Sequence, residues 1–520
     1  MNSGVILQAF EQQIPADGSL WRTIGERAAS FARMGISAVW MPPMCKCAAG
    51  GGSLGYDTYD LYDLGEFYQK GSVRTKYGTK EELLASITAL HKVGVEAYAN
   101  VVLNHLDEGD EEEWLRVEEA IEDGDLQSFK PPREDSFRSR FTFPGRNRTY
   151  SRFIWNHAHF TGFDYPKPEW VFADRWQEVP NSKRNRIFRV CGKHWPEDTE
   201  VFGGHWPVGE RKPFFCFDID HSNDEVREEL VRWGKWFLDT THADGLILDC
   251  VPHISTPFLC QWLSDMRRHS GRDFFAVGEY MSGVVSQLCS YLDRVDRNMS
   301  LLDYPLHYRF REASVNLKDG KDFDLRRLFS ETLSAKCPES AVAFLDNHDT
   351  QFCAGATESP ILWTFQVAAY AFILLRASGR PCVFWRDLYG APDNQAGIVR
   401  DLPLLLQIRQ LCAKGDEVPI LDQGPNLVGF ARCDSGEDSA SGLVCLISND
   451  KEDRPLPLQM PSHFSRRRFR CVIGDSMDVV VSDSGKAVFP VRANRCSVFI
   501  PEESAAMLDV RFTAMLQLAS

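Results

Sequence analysis

The sequence predicts an α/β protein: a closed (β/α)8 barrel of parallel strands, a small domain inserted after strand three, and a C-terminal all-β domain. Three observations carry this expectation. First, Ala243-Asp244-Gly245-Leu246-Ile247-Leu248-Asp249 and Phe274-Phe275-Ala276-Val277-Gly278-Glu279 are apolar runs of strand length that each end in a carboxylate. Between them Phe258, Leu259, Trp262, Leu263 and Met266 recur at helical spacing, so the two strands should be parallel neighbours joined by a helix. Second, two more apolar runs end in polar clusters, Asn104-His105 and Asp346-Asn347-His348-Asp349; a parallel barrel gathers such strand ends on one face, where the fold carries its chemistry. Third, the pattern changes near residue 415 to short alternating strands separated by turn residues, the mark of a β-sandwich.

The elements follow in order. Residues 5–10 read as the first strand, 20–34 as a helix capped by Ser19 or Asp17, and 38–43 as the second strand. Gly50-Gly51-Gly52 marks a loop. A helix over 78–94 precedes the third strand, placed at 100–105. Residues 106–212 are rich in charge, proline and aromatics and show no strand–helix repeat; their acidic run at 108–113 reads as a solvated loop. The barrel resumes with a helix at 222–240, strand six at 300–306, strand seven at 341–346, a buried helix at 365–375 and strand eight at 381–385. Sandwich strands are expected at 426–431, 442–448 and 497–501, and an amphipathic terminal helix at 505–518. The expected boundaries are 1–105 with 213–414 for the barrel, 106–212 for the insert, 415–502 for the sandwich and 503–520 for the tail.

Composition narrows the function. At 520 residues and 43% hydrophobic content the chain is an ordinary multidomain globular protein. A formal charge of -15 disfavours nucleic acid and anionic membranes as partners, whereas a neutral polymer needs no charge complementarity. The 15 cysteines are odd in number, and Cys216, Cys250, Cys382 and Cys445 sit in apolar strands, which suits reduced buried thiols. Cys45-Lys46-Cys47 is too tightly spaced for a zinc site. No basic leader followed by an apolar core is visible, so a cytoplasmic monomer without an organic cofactor is expected.

Asp249 and Glu279, ending adjacent strands about 4.8 Å apart, would face each other at roughly 5 Å, the separation of a retaining glycosidase. Acids at strand ends are also common as purely structural groups. The stretches around 100–105, 243–253, 274–281 and 341–351 together resemble the four conserved regions of glycoside hydrolase family 13, the α-amylase family. Gly55-Tyr56-Asp57-Thr58-Tyr59-Asp60 and the residues after it resemble its intracellular and liquefying branch, of the fungal cytosolic type, and the similarity runs from about residue 5 to about 500.

The resemblance implies a TIM barrel acting on α-1,4-glucans. It makes Asp249 the nucleophile, Glu279 the general acid/base and Asp349 the stabiliser of the transition state. Tyr56 would stack under the sugar, and His105, His253 and His348 would contact it. It also implies calcium held by Asn104, Asp218 and the His253 backbone, although the motif supplying a further carboxylate is not recognisable between Gly203 and Phe217. Lys212 is a candidate for the vacated charge position.

Four positions depart from the family pattern. Ile247 stands where an arginine would pair with the nucleophile, and Asn100 where an aspartate would lie beside that arginine. Loss of the arginine should raise the Asp249 pKa. Pro252 replaces a lysine and Met281 an aromatic residue on the leaving-group side. Two functions therefore compete: a weakened retaining hydrolase or transglycosylase, and an inactive glucan-binding or regulatory protein on the same scaffold.

Overall fold

The structure, a computed structural model, describes residues 4–121, 128–166, 185–195, 217–352, 354, 357–391, 397–433 and 441–509. Eight strands form the barrel: β1 (Val5–Gln8), β2 (Ile36–Met41), β3 (Glu96–Val101), β4 (Gly245–Leu248), β5 (Phe275–Gly278), β6 (Ser300–Leu302), β7 (Ala341–Phe344) and β8 (Arg380–Phe384). They close in the order β1-β8-β7-β6-β5-β4-β3-β2, so neighbours in sequence are neighbours in space. The chain divides into two compact units, residues 14–29 with 38–302, and residues 1–13 with 30–37 and 303–520.

The first unit holds most of β2 and all of β3 to β6. Helix α1 (Leu20–Arg33) is preceded by a turn in which Asp17 accepts from the Ser19 backbone N–H at 2.9 Å. Helix α2 (Lys80–Lys92) starts with a capping box between Thr79 and Glu82, a device the periodicity alone did not reveal. Helix α3 (Asp224–Thr241) is capped by Asn223, and helix α4 (Thr256–Ser270) buries Phe258, Leu259, Trp262, Leu263 and Met266, the face its spacing predicts. Helix α5 (Val285–Arg294) completes this set.

Three expectations need correction here. Strand three lies at 96–101, not 100–105, because His105 leaves the barrel and pairs antiparallel with Asp218. Strand six stops at Leu302, because Asp303 accepts from the Leu306 N–H at 3.0 Å and Pro305 sits in the first turn of the next helix. The acidic run is a loop only at 108–110: from Glu111 it enters a strand, Glu111–Glu119, paired with Arg133–Arg140. These join an antiparallel sheet in the order 105–106, 217–219, 160–166, 185–190, 111–119, 133–140, packed on Phe137, Phe141, Phe160, Phe163 and Phe188.

Lys46 is sealed in this unit, with its ammonium 3.6 Å from Asp63 and donating to the Ser72 carbonyl at 2.8 Å. Asp63 in turn accepts from the Gly65 and Glu66 backbone at 2.9 and 2.8 Å, so one buried pair ties the whole 46–73 loop together. Lys46→Met is expected to cost about 3–5 kcal/mol, since it strands a buried carboxylate. Denaturant unfolding with Asp63→Asn added would check this: the second change should recover part of the loss.

The second unit holds β1, β7 and β8 with helices α6 (Tyr304–Lys318), α7 (Trp363–Leu375) and α8 (Leu402–Cys412). Nine of the thirteen α7 residues are buried, as an apolar helix demands. After it come a six-stranded sheet, ordered 416–420, 427–433, 443–448, 496–501, 468–473, 479–480, and a two-stranded sheet of 454–459 with 486–491. Phe464, Phe469, Phe489 and Phe499 fill their common core. A short helix, Glu502–Ala505, precedes 506–509, which are not helical; residues 510–518 of the expected terminal helix lie outside the described residues, as do Cys216 and Lys212. No described helix is long and apolar enough to cross a membrane.

Candidate active site

In the first unit the β-ladder itself positions the two carboxylates. Leu248 on β4 sits beside Gly278 on β5 and Val101 on β3. One residue further, the Asp249 N–H donates to the Val101 carbonyl at 3.0 Å and the Glu279 N–H to the Leu248 carbonyl at 2.9 Å. Both side chains are buried. The chain then turns sharply: Cys250 takes φ 49° and Val251–His253 form a 3-10 turn with Pro252 at its start, where a missing N–H is harmless. Gly278 is needed at the crossing, because a Cβ there would come within 2.9 Å of the Val251 side chain.

Tyr56 is gripped from β3 and the segment beyond it. The Asn100 amide donates to the Tyr56 hydroxyl at 2.9 Å, and His105 Nε2 donates to the Tyr56 carbonyl at 2.7 Å. His105 Nδ1 accepts from the Asn104 amide at 3.4 Å, which fixes the neutral tautomer. Burial pushes the His105 pKa down to about 4, with the His253 ring nearby acting in the same direction. His105 is therefore an uncharged hydrogen-bonding group at neutral pH. His253 is half-buried, as is Met281, which follows the buried Tyr280.

Two of the four departures meet at one point. Register places Ile247 directly beside Asn100, and the buried Asn100 Oδ1 has no hydrogen-bond partner. An orphaned buried carbonyl costs about 1–3 kcal/mol.

Asn104 Oδ1 is a second buried oxygen with no partner. Its backbone carbonyl accepts from the Ile219 N–H at 2.9 Å, which brings it beside Asp218. Burial pushes the Asp218 carboxyl up to about 8, and the Thr161 hydroxyl donates to it. An unused amide oxygen beside a buried carboxylate is the donor chemistry of a hard cation. Among the described residues no three acidic, histidine or cysteine side chains converge on such a point. Two residues on, Asp220 has a cation: the Lys193 ammonium donates to it at 2.6 Å and to the Ala158 carbonyl at 2.8 Å. Sequence reading missed Lys193.

In the second unit His348 and Asp349 follow β7. Gln8, at the end of β1, donates from its amide to His348 Nδ1 at 3.1 Å, leaving the proton on Nε2, 3.5 Å from Asp349 Oδ2. Burial lowers the His348 pKa. Gln12 donates to the His348 carbonyl at 2.7 Å, and Asn347 Oδ1 accepts from the Asp349 N–H at 2.9 Å. Gln8, Gln12 and Asn347 were not singled out beforehand. Gln8 had one signal: it is the lone polar residue in an apolar first strand.

The chain matches the family model described as alpha amylase, catalytic domain, over residues 20–401. It is 36% identical over 503 residues to an alpha-amylase of Geobacillus stearothermophilus, covering 96% of this chain and 88% of that one. It is also 36% identical over 521 residues to the cytoplasmic alpha-amylase of Escherichia coli, covering 97% of this chain and all of the relative. Among solved structures, an alpha-amylase from Geobacillus thermoleovorans complexed with acarbose superposes with a TM-score of 0.59 at 18% identity, covering 96% of this chain and 98% of the other. An alpha-amylase from Malbranchea cinnamomea gives 0.60 at 16% identity, with 97% of each chain covered. At such identities these two likenesses speak to the fold alone.

Proposed function

Since the chain belongs to the alpha-amylase family of glycoside hydrolases, we propose that it is a cytoplasmic, monomeric enzyme that cleaves α-1,4-glucans with retention of configuration, at reduced rate. The observation that carries this reading is the pair Asp249 and Glu279, both buried and both anchored one residue past adjacent parallel strands. Asp249 attacks the anomeric carbon while Glu279 protonates the departing glycosidic oxygen, giving a covalent glycosyl-enzyme. Water, deprotonated by Glu279, then displaces Asp249; a sugar hydroxyl in its place gives transglycosylation. Asp349 stabilises the cationic transition state and His348 hydrogen-bonds the sugar, while the neutral His105, its two ring nitrogens on the Tyr56 carbonyl and the Asn104 amide, holds Tyr56 for stacking. His253, Pro252 and Met281 border the leaving-group side.

The Ile247–Asn100 neighbourhood supports the reduced rate, because Ile247 stands where the family pattern has the arginine that pairs with the nucleophile. The same observation favours the second reading, a glucan-binding protein without turnover. Maltoheptaose turnover by the purified protein separates them. Reducing ends that accumulate with wild type and not with Glu279→Gln support the enzyme; bound sugar without turnover in either supports the scaffold.

Calcium belongs to this reading as a structural ion held by Asn104 Oδ1, Asp218 and the His253 carbonyl, where it would neutralise a buried carboxylate. Calcium at about 100 times its Kd is expected to add roughly 2–3 kcal/mol to stability relative to chelator. Thermal unfolding in both conditions checks this. An Asn104→Ala variant should lose the difference, and identical melting curves for wild type would end the assignment.

A further inference from the structure

Glu11 is a fully buried carboxylate just past β1. Both β1 and β7 run parallel to β8, so Glu11 lies on the barrel face that carries Asp349. One of its oxygens, Oε2, accepts from the Gln351 amide at 3.0 Å and lies 3.7 Å from the Arg386 guanidinium. That second separation is too long for a hydrogen bond, so Arg386 supplies counter-charge while Gln351 supplies the contact. The other oxygen, Oε1, is buried without a hydrogen-bond partner. A buried carboxylate that leaves one oxygen unpaired is costly. Stability alone gives no reason for it; what it holds does.

It holds Gln351, whose side-chain amide is gripped at both ends by consecutive residues. The NH2 donates to Glu11 and, at 3.3 Å, to the Phe352 carbonyl, while the oxygen accepts from the Gln12 N–H at 3.4 Å. The Gln351 N–H donates to the Asn347 carbonyl at 3.1 Å, closing a turn with Asp349 at its centre. Before Asp349, the Asn347 amide donates to the Tyr304 hydroxyl at 3.1 Å, and His348 is held by Gln8 and Gln12. After it, the Thr350 hydroxyl donates to Asp346 at 3.1 Å, and Gln351 is tied across to β1 through Glu11. All of these groups lie within the second unit.

We propose that Glu11 is a positioning residue for the reaction: through Gln351 it aims the Asp349 carboxylate at the positive charge that develops on the sugar. This role rests on the enzyme reading of Asp349; the connection between Glu11 and Asp349 rests on its own geometry.

Steady-state kinetics and calorimetry on the full-length protein test it. Glu11→Ala is expected to lower kcat/KM on maltoheptaose about tenfold to a hundredfold, the scale of a charged group displaced by about an ångström. The fall should lie in kcat with KM held, since only the transition state carries the charge. Affinities should divide in the same way. Deoxynojirimycin, a sugar ring that bears a positive charge, should bind severalfold more weakly, and neutral maltoheptaose, measured in a Glu279→Gln background, as before. Glu11→Gln should recover most of the loss, because its amide oxygen accepts from Gln351 as Oε2 does. Gln351→Met keeps the bulk and removes the amide; it should match Glu11→Ala, and it carries the test if that variant does not fold. The two together should be no worse than either alone. Unchanged kcat/KM and unchanged deoxynojirimycin affinity in Glu11→Ala and Gln351→Met would overturn the inference. So would a uniform loss, with both sugars bound more weakly and no recovery in Glu11→Gln, which would make Glu11 part of the scaffold alone. The two readings fail separately. A wild type without turnover whose affinities still divide on Glu11→Ala keeps the positioning role and removes the enzyme; normal turnover that none of these substitutions alters does the reverse.

Discussion

Glu279→Gln is expected to lower kcat on maltoheptaose by about two to four orders of magnitude, the range associated with a positioned general acid. Three orders correspond to about 4 kcal/mol of barrier. The substitution keeps the shape of the side chain and leaves the Glu279 N–H on the Leu248 carbonyl, so Tm should change little. An amide cannot protonate the glycosidic oxygen, and it cannot deprotonate the incoming water. These two failures can be told apart with an α-glycosyl fluoride, whose leaving group needs no proton. On that substrate the variant should form the glycosyl-enzyme at close to the wild-type rate and then stall, giving a burst. If both substrates are turned over undiminished, Glu279 is not the acid and the activity comes from elsewhere.

The barrel was legible because its strands are buried on both faces and therefore read as continuous apolar runs, as β4, Gly245–Leu248, does. Strand ends were misplaced where the polar residues that follow were counted into the strand. Asn104 and His105 belong to a different sheet, and Asp303 to a helix cap. The inserted sheet was opaque for another reason. Arg133–Arg140 carries alternation, with Phe137 and Ser139 buried, but its charges mask the pattern. In the site, the acids and histidines could be read because each ends a recognisable run. Their supports could not. Gln8 and His348 lie 340 residues apart, and Asn100 reads as a lost acid until its amide is seen on the Tyr56 hydroxyl. Local sequence carries no record of such pairings.

The second large effect concerns that asparagine. Ile247→Arg combined with Asn100→Asp is expected to raise kcat about tenfold to a hundredfold above wild type, and by more than the two single variants together predict. Residues two apart on a strand point the same way, so an arginine at 247 would share a face with Asp249. Register already sets position 247 beside position 100, and Asn100 Oδ1 is buried without a partner. Each change alone should fail for its own reason. Ile247→Arg puts a guanidinium into a fully buried position with one carboxylate and one amide for company. Asn100→Asp adds a buried carboxylate with only the Tyr56 hydroxyl to donate to it. Together they supply a pair, and unpaired buried charge is what makes the single variants costly. The extra volume of arginine will cost stability, about 1–3 kcal/mol for overpacking, so Tm must be measured beside kcat. A coupling energy above about 1 kcal/mol in the double-mutant cycle on kcat/KM would mark the two positions as one device. A double variant no faster than wild type, with Tm held, would mean that a missing counter-charge is not what limits this site, and that Ile247 serves as barrel core.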